Sequence, residues 1–441
     1  MNRDKTVAFH TLGCRVNQYE TQALREKMAD LGFRSVDDGE AADVYVINTC
    51  TVTGVSDRKS RQLIRRAKRS NPSSIVAVIG CYAQTRPDET AAMPEADIVL
   101  GSGDKSRLPA LIEEYIAGKA ERVFDVSSLD VLTAYDDLGA VTAMDSRTRA
   151  YIKIEDGCDR YCAYCVVPYA RGAVRSRIAE DIVDEAKRLI SRGYKELVLT
   201  GVNLALYGSD FIGGADYRLH DIVRLLDGLE GDFRIRLGSL EPTVVNVDYI
   251  KHLLVYRKLC PSMHLSLQSG STRVLREMGR SYTREDYIGL VDELTRFDAA
   301  YGVSTDIIVG FPGETDEDFA ESMSMIEMLG FSHTHVFQYS KREGTRAASL
   351  CGQIPAEVKA RRSRALIIKA AEASKTFINR NIGSVKRVLT EKRDPETGLW
   401  EGLSENNMRV FFHGGADLEG RFTDVRIKSG AAEGALGECE D

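Results

Sequence analysis

The sequence predicts an α/β protein in three parts: a parallel-sheet domain, a larger strand–helix barrel and a small β-barrel. Two observations predict it. Short β-branched runs alternate with helical patterns from Thr6 to Phe377, and only short strand-like runs follow. Alternation implies parallel strands with helices on their faces, whereas a succession of short strands implies a small barrel. Length agrees, because 441 residues are too many for one core. The expected domains are 1–139, 144–375 and 376–441.

Composition sets the outer limits. Hydrophobic content of 43% and charged content of 28% describe an ordinary globular chain. No apolar run is long enough to span a bilayer, so no membrane partner is expected. The N-terminal MNRDKTVAFHTLGC holds no apolar signal core. Nine cysteines, an odd number spread along the chain, do not read as a secreted disulfide framework. A cytoplasmic location, where thiols stay reduced for metals, is expected. The net charge of −7 does not advertise nucleic-acid binding. Locally, Arg58–Arg69 carries seven Lys/Arg and no acidic residue, which is either a solvated helix face or a phosphate-binding one.

In the first domain one pattern recurs three times. Thr6–Leu12 (TVAFHTL) runs into Gly13–Cys14, Asp43–Asn48 (DVYVIN) into Thr49–Cys50, and Ser74–Ile79 (SIVAVI) into Gly80–Cys81. These read as buried strands, with helices over Asn17–Leu31 and Ser56–Arg69 between them. In such sheets ligands bind beyond the carboxyl ends of the strands, which is where Cys14, Cys50 and Cys81 belong. Three thiolates gathered there fit an iron–sulfur cluster, and three separate buried thiols are the alternative. Gly13 and Gly80 suit tight strand ends where backbone N–H groups approach a ligand. Ile98–Leu100 extends the sheet, and residues 135–149, rich in Asp, Ser and Thr, read as a linker.

The second domain opens on Gly157–Pro168, GCDRYCAYCVVP, whose Cys158, Cys162 and Cys165 are spaced C-x3-C-x2-C. Zinc normally takes four ligands, but the next cysteine is Cys260 and no histidine is nearer than His220. Three soft ligands without a local fourth suggest a [4Fe–4S] cluster with one open iron, rather than three structural thiols. The spacing resembles the signature of the radical S-adenosylmethionine (SAM) superfamily. Candidate strands are Tyr151–Glu155, Glu196–Thr200, Arg234–Leu237, Met263–Leu267, Ser304–Val309 and Thr334–Gln338. Helical patterns separate them, for example Ile178–Arg192 and Thr283–Ala299. Six such units suggest a partial or complete barrel, whose functional groups lie at the carboxyl ends of its strands. That edge offers Gly201, Asn203, Glu241, Gln268 and Gly310 as candidate SAM contacts, though each alone is also ordinary turn chemistry. Tyr164, inside the cysteine loop, is a candidate to stack on adenine or to fill the core.

A long helical pattern over Ala356–Phe377 leads to strand-like runs at Ser384–Leu389, Leu399–Leu403, Met408–Phe412 and Phe422–Ile427. Trp400, Phe411 and Phe412 are either core or stacking residues. Acidic residues are frequent from Asp417 onward, and the chain ends GECED.

With both cysteine trios in view, the sequence resembles the methylthiotransferase family of radical SAM enzymes. The stretches TLGCRVNQYET (11–21), NTCTVT (48–53), IGCYAQ (79–84), GCDRYCAYCVVPYARG (157–172), LQSGS (267–271) and VGFPGET (309–315) carry the likeness across the whole chain. TLGCRVNQYET, GVNLALYG (201–208) and QYSKREGT (338–345) look closest to the tRNA N6-threonylcarbamoyladenosine methylthiotransferases. The resemblance implies an N-terminal methylthiotransferase domain, a (β/α)6 partial TIM barrel and a TRAM-like barrel that binds RNA. It implies two [4Fe–4S] clusters: one on Cys158, Cys162 and Cys165 that chelates SAM, and an auxiliary one on Cys14, Cys50 and Cys81. It further implies hydrogen removal from adenine C2 by a 5′-deoxyadenosyl radical, sulfur insertion there, and a methyl group from a second SAM. The implied partners are a tRNA substrate, a sulfur donor and an electron donor such as a flavodoxin or ferredoxin. Isopentenyladenosine in tRNA and an aspartate of a ribosomal protein are the alternative substrates. A non-catalytic iron–sulfur or RNA-binding scaffold is the alternative of another class. The acidic end departs from the family pattern, so phosphate contacts are expected from Arg58–Arg69 or from Arg171, Arg175 and Arg177. Cys260, Cys351 and Cys439 have no expected ligand role.

Overall fold

The structure, a computed structural model, describes residues 5–37, 39–144, 148–212, 217–431 and 433–440. Six parallel strands form the first sheet: β1 (Thr6–Thr11), β2 (Arg34–Ser35), β3 (Val44–Thr49), β4 (Ile75–Gly80), β5 (Ile98–Leu100) and β6 (Val123–Asp125), ordered β2-β1-β3-β4-β5-β6. Every residue of β3 and β4 is buried, as continuous β-branched runs require of a sheet covered on both faces. Val44 and Val46 pack under α1 (Arg15–Asp30), while Tyr45 and Ile47 pack under α2 (Gly54–Ser70). The edge strands β2 and β6 are too short to register as periodic patterns. Residues 135–144 of the expected linker are irregular yet pinned: Leu138 and Val141 are buried against the sheet, and the Glu26 carboxylate accepts from the Thr142 and Ala143 N–H groups at 2.9 and 2.8 Å. Residues 145–147 of that linker lie outside the described residues.

The middle of the chain forms the expected partial barrel. Its strands are β7 (Arg149–Lys153), β10 (Glu196–Thr200), β11 (Arg234–Leu237), β12 (Ser239–Leu240), β13 (Ser262–Leu265), β14 (Gly302–Val309) and β15 (His333–Gln338). A two-residue ribbon, β8 (Glu155–Asp156) with β9 (Arg175–Ser176), brackets the cysteine loop. The third strand breaks at Gly238, so the ladder splits into β11-β10-β7 and β12-β13-β14-β15. β7 and β15 end the arc without pairing to each other, and α1 of the first domain packs along β7.

The C-terminal helix Ala356–Arg380 delivers a closed barrel of β16 (Val385–Arg393), β17 (Trp400–Ser404), β18 (Arg409–His413), β19 (Phe422–Ala431) and β20 (Gly434–Cys439). β20 was the strand hidden in the acidic tail. Its Gly, Ala and Glu residues carry little strand propensity, but small residues are what closing this barrel needs, since a side chain at Gly437 would run into Val425. The tail's charge is locally matched: Glu440 pairs with Arg426 at 2.6 Å and Glu438 with Lys428 at 2.7 Å. Trp400 and Phe412 are core residues, and Phe411 is half-buried.

One buried carboxylate docks this barrel on the central domain. Glu196 receives Arg236 Nε at 2.8 Å and Arg234 Nε at 2.6 Å. The same guanidinium groups donate to the Leu403 and Ser404 carbonyls at 2.8 and 3.1 Å. Burial alone would raise the Glu196 carboxyl, but Arg236 and Arg234 outweigh it and hold the group well below the usual range. Its stabilisation is therefore complete above the unfolded carboxylate pKa of about 4.3 and is lost as pH falls through the depressed folded value. Arg236→Ala is expected to cost roughly 3 kcal/mol in denaturant unfolding at neutral pH, because it removes the two-bonded partner of a buried carboxylate and leaves it Arg234 alone. The deficit should shrink in acid.

Candidate active site

The register of the first sheet gathers three cysteines. Thr11 pairs with Asn48 and Thr49 with Gly80, so β1, β3 and β4 end level and release Cys14, Cys50 and Cys81 along one edge. Gly13 is in a left-handed conformation (φ +98°), and a Cβ there would lie 2.8 Å from Cys50 Cβ and 2.9 Å from its Sγ. Only glycine allows the two loops to close that far. The Asn17 amide ties them, donating to the Leu12 and Thr49 carbonyls at 2.7 and 3.0 Å. Cys50 and Cys81 are buried and Cys14 is exposed. Burial pushes the Cys50 thiol up, and Cys81 and Cys14 nearby add to it. An all-thiol trio of this kind fits an iron–sulfur cluster.

The second trio sits in the loop after β8. Gly157 (φ +83°) has no Cβ to obstruct the Ala173 carbonyl, and Cys158 N–H donates to Gly172 O at 2.9 Å, closing the loop. Ala163 N–H donates to Met278 O at 2.8 Å, and Ala163 O accepts from Ala347 N–H at 2.7 Å. Burial pushes the Cys165 thiol up to about 11, with Cys162 adding to it.

A buried polar chain runs from this loop along the strand ends. The Tyr164 hydroxyl accepts from Arg280 at 2.7 Å, Arg280 pairs with Glu241, and Glu241 accepts from Asn203 Nδ2 at 3.0 Å. Asn203 N–H donates to Glu155 at 2.9 Å, and Gly201 leaves room for that carboxylate. Burial pushes the Glu155 carboxyl well above its usual range. Glu155 Oε1 and Asn203 Oδ1 are buried without a hydrogen-bond partner, which fits a polar ligand completing the set. Gln268 and Gly310 lie further along the barrel and are held by backbone hydrogen bonds. Gln268 (φ +67°) exchanges 2.8 and 2.9 Å bonds with Asp306 O and Ile308 N, and Gly310 N–H donates to Glu314 at 2.7 Å. Tyr164 packs with Phe311 and Tyr339 as a core aromatic.

A cavity of about 620 Å³ joins the first trio to the barrel interior. Cys14, Cys50 and Cys81 line one side, and the cysteine loop contributes Val167 and Arg171. Gly201 stands at a strand end, His264, Asp306, His333 and His335 line the barrel wall, and Asn407 enters from the C-terminal barrel. His264 Nε2 lies 3.0 Å from Asp306, and burial with neighbouring imidazoles holds His333 and His335 below the usual histidine value, so both are neutral at pH 7.

Three of the arginines expected at phosphate are buried instead. Arg171 donates to Asp156 at 2.7 Å, Glu20 at 3.0 Å and Asn17 at 2.6 Å. Arg175 caps the Arg171 and Ala173 carbonyls, and Arg177 pairs with Glu185. Lys105 and Lys153 complete the group on Glu20, at 2.6 and 2.9 Å. The signal for this network was present in α1, where Asn17, Glu20, Thr21 and Gln22 form a buried polar patch on a helix that also packs a core. By contrast, Arg58, Lys59, Arg65 and Arg69 of α2 are exposed.

A partial strand–helix barrel with a C-x3-C-x2-C loop after its first strand defines the class of radical SAM enzymes. The superfamily model described as "Radical SAM superfamily" matches residues 152–326, and one described as "Uncharacterized protein family UPF0004" matches 6–101. A threonylcarbamoyladenosine tRNA methylthiotransferase of Bacillus subtilis is 40% identical over 426 residues, covering 96% of this chain and 93% of that protein. A tRNA-2-methylthio-N(6)-dimethylallyladenosine synthase of Carboxydothermus hydrogenoformans is 32% identical, covering 97% of each chain. Among solved structures, the radical SAM methyltransferase TsrM of Kitasatospora setae superposes with a TM-score of 0.58 at 16% identity, over 78% of this chain and 74% of that one, which shows a shared fold. The chain belongs to the radical SAM methylthiotransferase family. It is an enzyme, with iron–sulfur and SAM chemistry, and no helix among its described residues is long and apolar enough to cross a membrane.

Glu20→Gln should leave Lys105, Lys153 and Arg171 facing Asp156 alone. A loss of roughly 3–5 kcal/mol is expected, read by urea unfolding, with limited proteolysis showing faster cleavage between the first sheet and the barrel.

Proposed function

We propose that the enzyme adds a methylthio group to C2 of N6-threonylcarbamoyladenosine next to the anticodon of tRNA. The observation that carries this is the 40% identity to a threonylcarbamoyladenosine tRNA methylthiotransferase over nearly the full length of both chains. The local geometry supports it, because the first cysteine trio lines a cavity that reaches into the barrel and the second lies in the loop after β8 of that barrel.

In this reading Cys158, Cys162 and Cys165 hold one [4Fe–4S] cluster and Cys14, Cys50 and Cys81 hold a second. Bound there with SAM, these groups supply radical formation, sulfur and methyl transfer. The chain's own task is positioning. Glu155, Asn203 and Glu241 present polar atoms beside the Cys158 loop to orient SAM, and the barrel wall encloses the adenosine away from water. The exposed cations of α2 take phosphate contacts in place of the buried Arg171, Arg175 and Arg177. A sulfur donor and a reductant such as a flavodoxin or ferredoxin complete the cycle in the cytoplasm.

Two measurements test it. Mass spectrometry of tRNA nucleosides from cells lacking the protein should show N6-threonylcarbamoyladenosine without its 2-methylthio form, restored by the gene. Accumulation of unmodified isopentenyladenosine instead would reassign the substrate. Anaerobically reconstituted protein carrying Cys14→Ala, Cys50→Ala and Cys81→Ala together should hold roughly half the wild-type iron and sulfide. That variant should still release 5′-deoxyadenosine from SAM, whereas Cys158→Ala, Cys162→Ala and Cys165→Ala together should abolish the release.

A further inference from the structure

Three guanidinium groups line the cavity, those of Arg15, Arg171 and Arg236. Two are matched. Arg171 is held by Glu20 and Asp156, and Arg236 by Glu196. Arg15 makes no ion pair and no side-chain hydrogen bond with any described residue. It leaves the first turn of α1 and lies over the Tyr151 ring of β7, 5.9 Å from its centroid. It lines the same cavity as His335 of β15, the strand at the other open edge of the barrel. It also remains accessible from the cavity.

A guanidinium cannot ligate iron, so the neighbouring Cys14 does not explain it. Cation–π contact with Tyr151 orients the group and leaves its N–H fork free. A planar fork of this kind matches a carboxylate. The surrounding wall adds the His333 and His335 imidazoles, and its one carboxylate among the described residues, Asp306, is engaged by His264 at 3.0 Å. Arg15 gives this cavity a partner for an anionic substituent, which an isopentenyl chain lacks. The substituent on N6-threonylcarbamoyladenosine carries one carboxylate, at its threonyl end.

We propose that Arg15 binds the threonyl carboxylate of the modified adenosine, making it a specificity determinant supplied by the N-terminal domain to the barrel. This rests on the function proposed above. SAM also carries a carboxylate, and that source must be distinguished.

The test measures binding of the cluster-loaded enzyme to three anticodon stem-loop RNAs. One bears N6-threonylcarbamoyladenosine, one its methyl ester, and one plain adenosine. Wild type should bind the free acid roughly ten- to a hundredfold tighter than the ester or plain RNA, the range for a hydrogen bond to a charged group. Arg15→Gln should bind all three alike, and Arg15→Lys should recover part of the preference. Equal binding of acid and ester by wild type would overturn the proposal, and that arm does not depend on any variant folding. So would an Arg15→Gln enzyme that keeps the preference, or one that loses SAM affinity instead. Turnover by wild type is read alongside. Preference for the acid without methylthio product would refute the functional reading and keep the pocket; product without preference would do the reverse.

Discussion

Five buried charges hold the two halves of the catalytic unit in register. Glu20 and Lys105 come from the first domain, and Lys153, Asp156 and Arg171 from the barrel and its cysteine loop. Burial would push the Glu20 carboxyl up, but Arg171, Lys105 and Lys153 overcome it and hold the group well below its usual range. Exposed pairs contribute at most about 1 kcal/mol, whereas breaking a desolvated set costs several times that. The network therefore acts less as glue than as an alignment device: only one docking pairs every charge. Asn17 extends it, accepting from Arg171 and donating to the Leu12 and Thr49 carbonyls that flank Cys14 and Cys50.

From that alignment the rest of the site follows. The barrel is open between β7 and β15, and α1 packs along β7. The level strand ends of the first sheet then face the barrel interior, and one cavity touches all three of its cysteines. The C-terminal barrel joins the same cavity through Asn407, held in place by Arg234 and Arg236 on Glu196. Three domains thus shape one chamber, and the domain that delivers the sheet's cysteines also presents Arg15 to it.

Much of this was legible in the sequence, and the reasons are local. β-branched runs located β3, β4 and the barrel strands to within a residue or two, most directly where, as in β3, β4 and β10, every residue is buried. Three strand–Gly/Thr–Cys repeats located the first trio, since parallel topology forces such ends together. What escaped detection depended on partners distant in sequence. Arg171 and Arg177 read as phosphate-binding cations because Glu20 and Tyr19, which help bury them, lie 151 and 158 residues away on a helix whose docking no local pattern reveals. β20 escaped because its residues serve barrel closure rather than strand propensity. The polar chain through Glu155 and Arg280 escaped because two of its members sit outside any motif.

The first cysteine trio lines the chamber, and the loop that carries the second contributes Val167 and Arg171 to it, so clusters held on the two trios would be close neighbours. Electron paramagnetic resonance of the fully reconstituted, reduced enzyme tests it directly. Magnetic interaction between the two centres should broaden and speed relaxation of the wild-type signal. The signal should sharpen when Cys14, Cys50 and Cys81 are replaced by alanine. Identical spectra from the two proteins, with wild type carrying a full complement of iron for both sites, would contradict that proximity.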